Sequence, residues 1–159
     1  MGLRGLARRA GRREGRRELI SFLVDSTAVW RLQRQPELVD TWNSPLVSGA
    51  VGSCEPQRAE FRRSARNADE FDQMNQMFRD VYPDVPVPKS IWRWVDSAQY
   101  RLAGVGAVRA LSVVDLLICG IAAAGGLVVL HDDADYELAE RQLPDVRARR
   151  VVSAPQSPA

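Results

Sequence analysis

Leu19-Ile-Ser-Phe-Leu-Val24, followed at once by Asp25-Ser26-Thr27, decides the reading of this chain. The run is apolar and β-branched, and at about six residues it is far too short to span a membrane, so it reads as a buried first strand. Ala28-Val-Trp-Arg-Leu-Gln33 has helix composition, which puts Asp25 at a strand-to-helix turn. In an open parallel sheet that is where ligands bind.

The same alternation continues along the chain. Pro36 suits the first turn of a helix running to about Trp42, and Asn43-Ser-Pro45 is expected to stop it. Val51 to Cys54 reads as a second strand, and Pro56 opens the helix that carries Glu60. Asn67-Ala-Asp69 caps a helix whose Phe71, Met74, Met77 and Phe78 share one apolar face, with methionine as core filler. Three prolines make Tyr82 to Pro88 an extended connector or edge strand. Lys89 to Ala103 is helical, as is Val113 to Ala124 behind the capping-box spacing of Ser112 and Asp115. Leu127 to Leu130 is a third strand, Tyr136 to Arg141 a short helix, and Val146 to Val152 an edge strand. Strands alternating with helices predict an α/β fold, a three-layer α/β/α domain around a central, mostly parallel sheet of four or five strands.

A length of 159 residues, 45% hydrophobic and 26% charged, fits one globular domain, expected over residues 19–152. The net charge of +2 conceals an asymmetry: residues 1–18 hold seven Arg against Glu14 and Glu18, a local +5, leaving −3 for the rest. That segment has almost nothing to bury and is expected to be a disordered arm. It is either a basic tail that touches nucleic acid or the product of a start codon chosen too far upstream. Residues 153–159 are expected to be a disordered tail. Cys54 and Cys119 lack CxxC spacing or a neighbouring His and read as buried reduced thiols. No targeting segment or membrane span is visible, so a cytoplasmic protein with no membrane association is expected.

Four acidic sites fall just past strand ends or in the helix that follows: Asp25, Glu60, Asp115 and the pair Asp133 and Asp135. Asp115 is embedded in Val-Val-Asp-Leu-Leu-Ile, and a carboxylate held against a core is costly unless capped, paired or bound to a metal. Only Arg109 and His131 offer cationic charge nearby, so converging anions would raise one another's pKa. A hard divalent cation, Mg2+ or Mn2+, would relieve that repulsion in an all-oxygen site and would suit phosphodiester hydrolysis. Helix capping explains each acid taken singly, and spacing alone leaves the two readings level. His131, the one histidine, reads as structural. A phosphate-cradling glycine loop is missing: Gly104-Val-Gly106 lacks a third glycine, and Gly125-Gly126 ends a helix.

Four stretches in order carry a resemblance: Phe22-Leu-Val-Asp25-Ser-Thr-Ala-Val-Trp30; Cys54-Glu-Pro-Gln-Arg-Ala-Glu60-Phe with Ser64-Ala-Arg66; Gly106-Ala-Val-Arg109 through Val114-Asp115-Leu-Leu-Ile118; and Val129-Leu-His131-Asp-Asp133-Ala-Asp135-Tyr136. Over about Ile20 to Val151 the chain resembles the PIN-domain ribonucleases, and within them the VapC-type toxins of bacterial toxin–antitoxin pairs. The resemblance implies a PIN-like fold and a magnesium-dependent endoribonuclease. Asp25 and Asp115 match the main metal ligands, Asp133 completes the pocket as ligand and catalytic acid, Asp135 is a further ligand, and Glu60 with Asp133 positions the attacking water. It also implies RNA as substrate, a VapB-type antitoxin whose C-terminal segment lies in the toxin's groove, and a homodimer. The chain departs from the family in its Ser26-Thr27 order, in Ala107-Val108 where polar or basic residues are common, and in Arg58 where relatives can carry an acid. Thr27 and Arg109 remain as candidate substrate contacts. The alternative is a catalytically silent PIN module that binds RNA or a protein, which loss of any matched acid would have favoured.

Overall fold

A computed structural model describes residues 19–155; the basic arm at 1–18 and residues 156–159 of the expected tail lie outside the described residues. The elements run β1 (Phe22–Val24), α1 (Ser26–Arg34), α2 (Pro36–Thr41), α3 (Asn43–Ser48), β2 (Val51–Gly52), α4 (Glu55–Arg62), α5 (Ala68–Val81), α6 (Ile91–Gly104), α7 (Val113–Gly125), β3 (Val128–His131), α8 (Ala134–Gln142) and β4 (Arg147–Arg150). The sheet has the order β2-β1-β3-β4. Every pairing is parallel, with Phe22 opposite Val51 on one side and Val128 on the other. Four strands therefore form, and a single bridge between Ser53 and Asp84 in the proline-rich connector is the trace of a fifth among the described residues.

Side chains of a strand point alternately to opposite faces, and the β1 and β3 residues divide accordingly. Leu23 and Val129 join one apolar cluster with α6, α7 and α8, whereas Val24 and Leu130 join a second with α1, Trp42, Phe61 and Phe78. Three layers result, as expected from the alternation. Chain direction reverses between β1, which leads outward to β2, and β3, which leads outward to β4. The carboxyl ends of these two strands thus make the topological switch point, where an open α/β sheet leaves a crevice.

The helix opened by Pro36 ends at Thr41, close to where it was expected to stop. Asn43-Ser-Pro45 then begins α3, which was not expected, because a proline in a first turn forfeits no intrahelical bond. Met74 and Met77 are only partly buried and border an open groove, so they do more than fill core. Both edges of the sheet are short: β2 has two residues, and β4 reads Arg-Ala-Arg-Arg. Glu140 accepts a hydrogen bond from the Ala148 amide of β4. Cys54 and Cys119 are free and buried, and burial pushes the Cys54 thiol up to about 11. Among the described residues no helix is long and apolar enough to cross a membrane.

Gly120 lets α7 approach α6, since a Cβ there would stand 2.7 Å from Ile91 Cδ1 and from Trp94 Cε3. Alanine is the better helix former, but overpacking a filled interface costs about 1–3 kcal/mol. Gly120→Ala is therefore expected to lower the melting temperature by roughly 2–10 °C. Gly104→Ala, where a Cβ would meet nothing within 4 Å, is expected to leave it unchanged or raise it. Thermal unfolding of both variants checks the pair.

Candidate active site

Asp25 continues β1 by one residue, its amide bonding to Leu130 O at 2.8 Å, and caps α1. Its Oδ2 accepts from the Thr27 amide at 3.0 Å and from the Thr27 hydroxyl at 2.6 Å. Its other oxygen, Oδ1, accepts from the Tyr136 hydroxyl at 2.7 Å. With three bonds, the carboxylate is held although it is 2% exposed.

Asp115 arrives from the opposite direction, in the first turn of α7. Its Oδ2 accepts from the Ser112 amide at 3.3 Å and Ser112 Oγ accepts from the Asp115 amide at 3.1 Å, completing the capping box. Its Oδ1 accepts from the same Tyr136 hydroxyl at 3.0 Å. Asp133 caps α8 by accepting from the Asp135 amide at 2.9 Å. Glu60 lies on α4, half-buried, and accepts no hydrogen bond among the described residues. Burial, then the charges of Asp25 and Asp115, raise its pKa. Burial is also the main cause raising Asp115, partly offset by the Tyr136 bond and reinforced by Asp25. Asp135 is raised by burial and by Asp133 and Asp115. The charges of Asp25 and Asp115 thus reach Glu60, and those of Asp133 and Asp115 reach Asp135.

Among the described residues none of Asp25, Glu60, Asp115, Asp133 and Asp135 forms an ion pair. Asp132, between them in sequence, takes the cations instead: Arg31 at 3.3 Å and Arg150 at 3.6 Å. Arg58, the departure from the family pattern, is likewise engaged, bonding to Ser53, Glu55 and Asp84. The acids therefore lack ion pairs, although the charge of Arg63 reaches Glu60 and partly offsets the rise in its pKa. No group of three or more acidic, histidine or cysteine side chains that could hold a metal ion is present among the described residues. Asp25 and Asp115 share one hydroxyl, that of Tyr136.

Two expected substrate contacts fare differently. The Thr27 hydroxyl spends its hydrogen on Asp25 and accepts from the Asp132 amide at 2.9 Å, so it ties the ends of β1 and β3 together and has no donor left for a phosphate. Arg109 is exposed in the turn between α6 and α7 and forms no ion pair among the described residues, so its guanidinium is available to an anion. His131 is 1% exposed. Its Nδ1 accepts from the Asp133 amide at 3.1 Å, which requires the neutral ring, and burial lowers its pKa further. The structural reading of the histidine holds.

Tyr136 is the site residue that sequence reasoning passed over. In the sequence it reads as the end of a motif and the start of a short helix, and its partner carboxylates lie 111 and 21 residues away. A signal existed: a tyrosine in a helix's first turn beside two acids, in place of an aliphatic core residue.

No family model matches the chain. It is 85% identical over 105 residues to Ribonuclease VapC6 of Mycobacterium tuberculosis, a match covering 66% of this chain and 83% of that protein. Ribonuclease VapC21 of the same organism is 27% identical over 116 residues, covering 73% of this chain and 83% of that protein. Among solved structures, VapBC2 from Rickettsia felis, bound to a DNA fragment from its promoter, superposes with a TM-score of 0.68 at 9% identity, over 82% of this chain and 98% of that one. VapBC-5 from Mycobacterium tuberculosis gives 0.56 at 20%, over 83% and 99%. At those identities the structures establish the fold alone, whereas a relative 85% identical over most of its length establishes more: the chain belongs to the VapC ribonuclease family.

Proposed function

We propose that this protein is a divalent-metal-dependent endoribonuclease and the toxin of a toxin–antitoxin pair. The observation that carries the reading is the switch point of the sheet, where Asp25 and Asp115 share one hydroxyl and their charges reach Glu60, with no ion pair to any of the three among the described residues. A phosphodiester would be repelled from such a pocket unless a cation lay between them. Mg2+ or Mn2+, when bound, would supply charge neutralisation at the scissile phosphate and lower the cost of ionising a water. Asp25 and Asp115 would hold the ion. Glu60, whose raised pKa makes it a better base than an exposed glutamate, would take the proton of the attacking water at its carboxylate. Asp133 keeps one oxygen free to orient that water, and Arg109 at the rim would meet the RNA backbone.

The partners follow from two surfaces. A groove of about 660 Å³ between α1, α4 and α5 is lined by Trp30, Phe61, Met74, Met77 and Val81, with Arg66, Glu70 and Asp80 at its edge. Trp30 and Phe61 stack at its floor, ring centroids 4.4 Å apart. An apolar floor with a charged rim suits the amphipathic C-terminal segment of a VapB-type antitoxin. Trp92 and Tyr100 on α6 and Val105 just behind it are each exposed and are the candidate contacts of a homodimer.

Purified protein is expected to cleave RNA with Mg2+ or Mn2+ and to lose that activity in excess chelator. Asp25→Asn and Asp115→Asn are each expected to lower cleavage by roughly 100-fold or more. Activity surviving chelation would sink the metal reading, and a metal-loaded protein that cleaves no RNA would favour the silent binding module.

Asp115→Asn also separates repulsion from capping. Because the folded protein holds the Asp115 proton more tightly than the unfolded chain does, this carboxyl costs stability above its raised pKa, and the cost fades as pH falls through that value. In metal-free protein the variant is expected to melt about 1–3 °C above wild type at neutral pH, the gap closing towards about pH 4. A purely capping carboxylate would give the opposite sign at neutral pH.

For the partners, Met77→Glu is expected to weaken antitoxin binding by about tenfold or more while leaving RNA cleavage intact. Trp92→Glu is expected to shift the light-scattering mass towards the monomer without affecting antitoxin binding. Unchanged affinity in the first variant would move the antitoxin off this groove.

A further inference from the structure

Asp25 and Asp115 belong to different elements and share no direct side-chain hydrogen bond. What joins them is one hydroxyl on a third element. Tyr136 Oη lies 2.7 Å from Asp25 Oδ1 and 3.0 Å from Asp115 Oδ1, so these oxygens can be no farther apart than the sum of the two distances. The hydroxyl has a single hydrogen to divide between two anions. The tyrosine itself is fully buried, its ring tilted against His131 at 5.2 Å, which keeps the hydroxyl from solvent and from any substrate. Each carboxylate is gripped at its other oxygen too, Asp25 by Thr27 and Asp115 by the Ser112 amide. With both oxygens bonded, neither group can rotate freely, yet the Oδ1 of each, which accepts only from Tyr136, retains a lone pair for a cation.

We propose that Tyr136 is a positioning residue for divalent-cation binding: its hydroxyl sets the spacing and orientation of Asp25 and Asp115 before the ion arrives. The inference rests on the metal reading above and adds to it the group that preorganises the ligands. Partners that orient metal ligands in this way typically account for 10–100-fold in affinity.

The test is Mn2+ affinity of the full chain by calorimetry without RNA, for wild type, Tyr136→Phe and Tyr82→Phe. Tyr82 is the control because its buried hydroxyl has no partner among the described residues. Tyr136→Phe keeps the ring and is expected to bind Mn2+ about 10–100-fold more weakly, with cleavage recovering at saturating Mn2+ and the KM for RNA unchanged. Tyr82→Phe is expected to bind as wild type does. Equal affinities for wild type and Tyr136→Phe would overturn the brace while leaving the metal site standing. Absence of Mn2+ binding by wild type would overturn the metal reading and the brace with it. If Tyr136→Phe does not fold, wild-type protein carrying 13Cζ-tyrosine decides: a Tyr136 signal that shifts in step with Mg2+ occupancy supports the brace, and an unmoved signal overturns it.

Discussion

Mutual repulsion among carboxylates is the constraint on which the rest of this structure turns. Asp25 and Asp133 stand just past β1 and β3, Asp115 and Asp135 in the first turns of α7 and α8 and Glu60 on α4, with no ion pair among the described residues. What keeps Asp25, Asp115 and Asp133 in place without a counter-ion is hydrogen bonding from groups that cannot leave. The Thr27, Ser112 and Asp135 amides are fixed by helix starts, and the Tyr136 hydroxyl is fixed by a packed ring. Four of the acids, all but Glu60, sit in first turns or caps, where the positive end of a helix further offsets their charge. The sheet supplies the address and the helix starts supply the restraint.

Capping and chemistry, level alternatives in the sequence, are therefore not alternatives in the molecule. A carboxylate has two oxygens, and Asp25 and Asp115 use them for different purposes. Oδ2 closes the helix end, and Oδ1 turns to the shared hydroxyl in the crevice. The cap is the device that aims the ligand. An amide at either position could still cap, which is why substitution to Asn separates the two contributions where truncation to Ala would confound them.

Much of this was legible in the residues. The buried run before Asp25, the order of strands and helices, and the layering all follow from periodicity and turn chemistry, and the family resemblance placed the acids. What escaped reading depends on distance along the chain or on competition between neighbours. Tyr136 gains its meaning from residues on β1 and α7 that no local pattern connects to it. Thr27 reads as available to substrate in the sequence, but its one hydroxyl hydrogen goes to Asp25. Nothing in His131-Asp-Asp133-Ala-Asp135 says which acid takes the arginines, because Arg31 and Arg150 come from α1 and β4. Pro45 was read as a stop when it stands in a first turn, a place where proline is equally at home.

The sheet's margins bear on how the protein survives alone. Open strand edges invite further strands, and proteins that tolerate them keep them short, charged or covered. Here one margin is two residues long, and the other carries three arginines, with an amide already claimed by Glu140. Stacking copies edge to edge would bring like charges together along every added strand. Edges so guarded resist templated pairing by their own length and charge, at margins separate from the groove lined by Trp30, Phe61 and Met77.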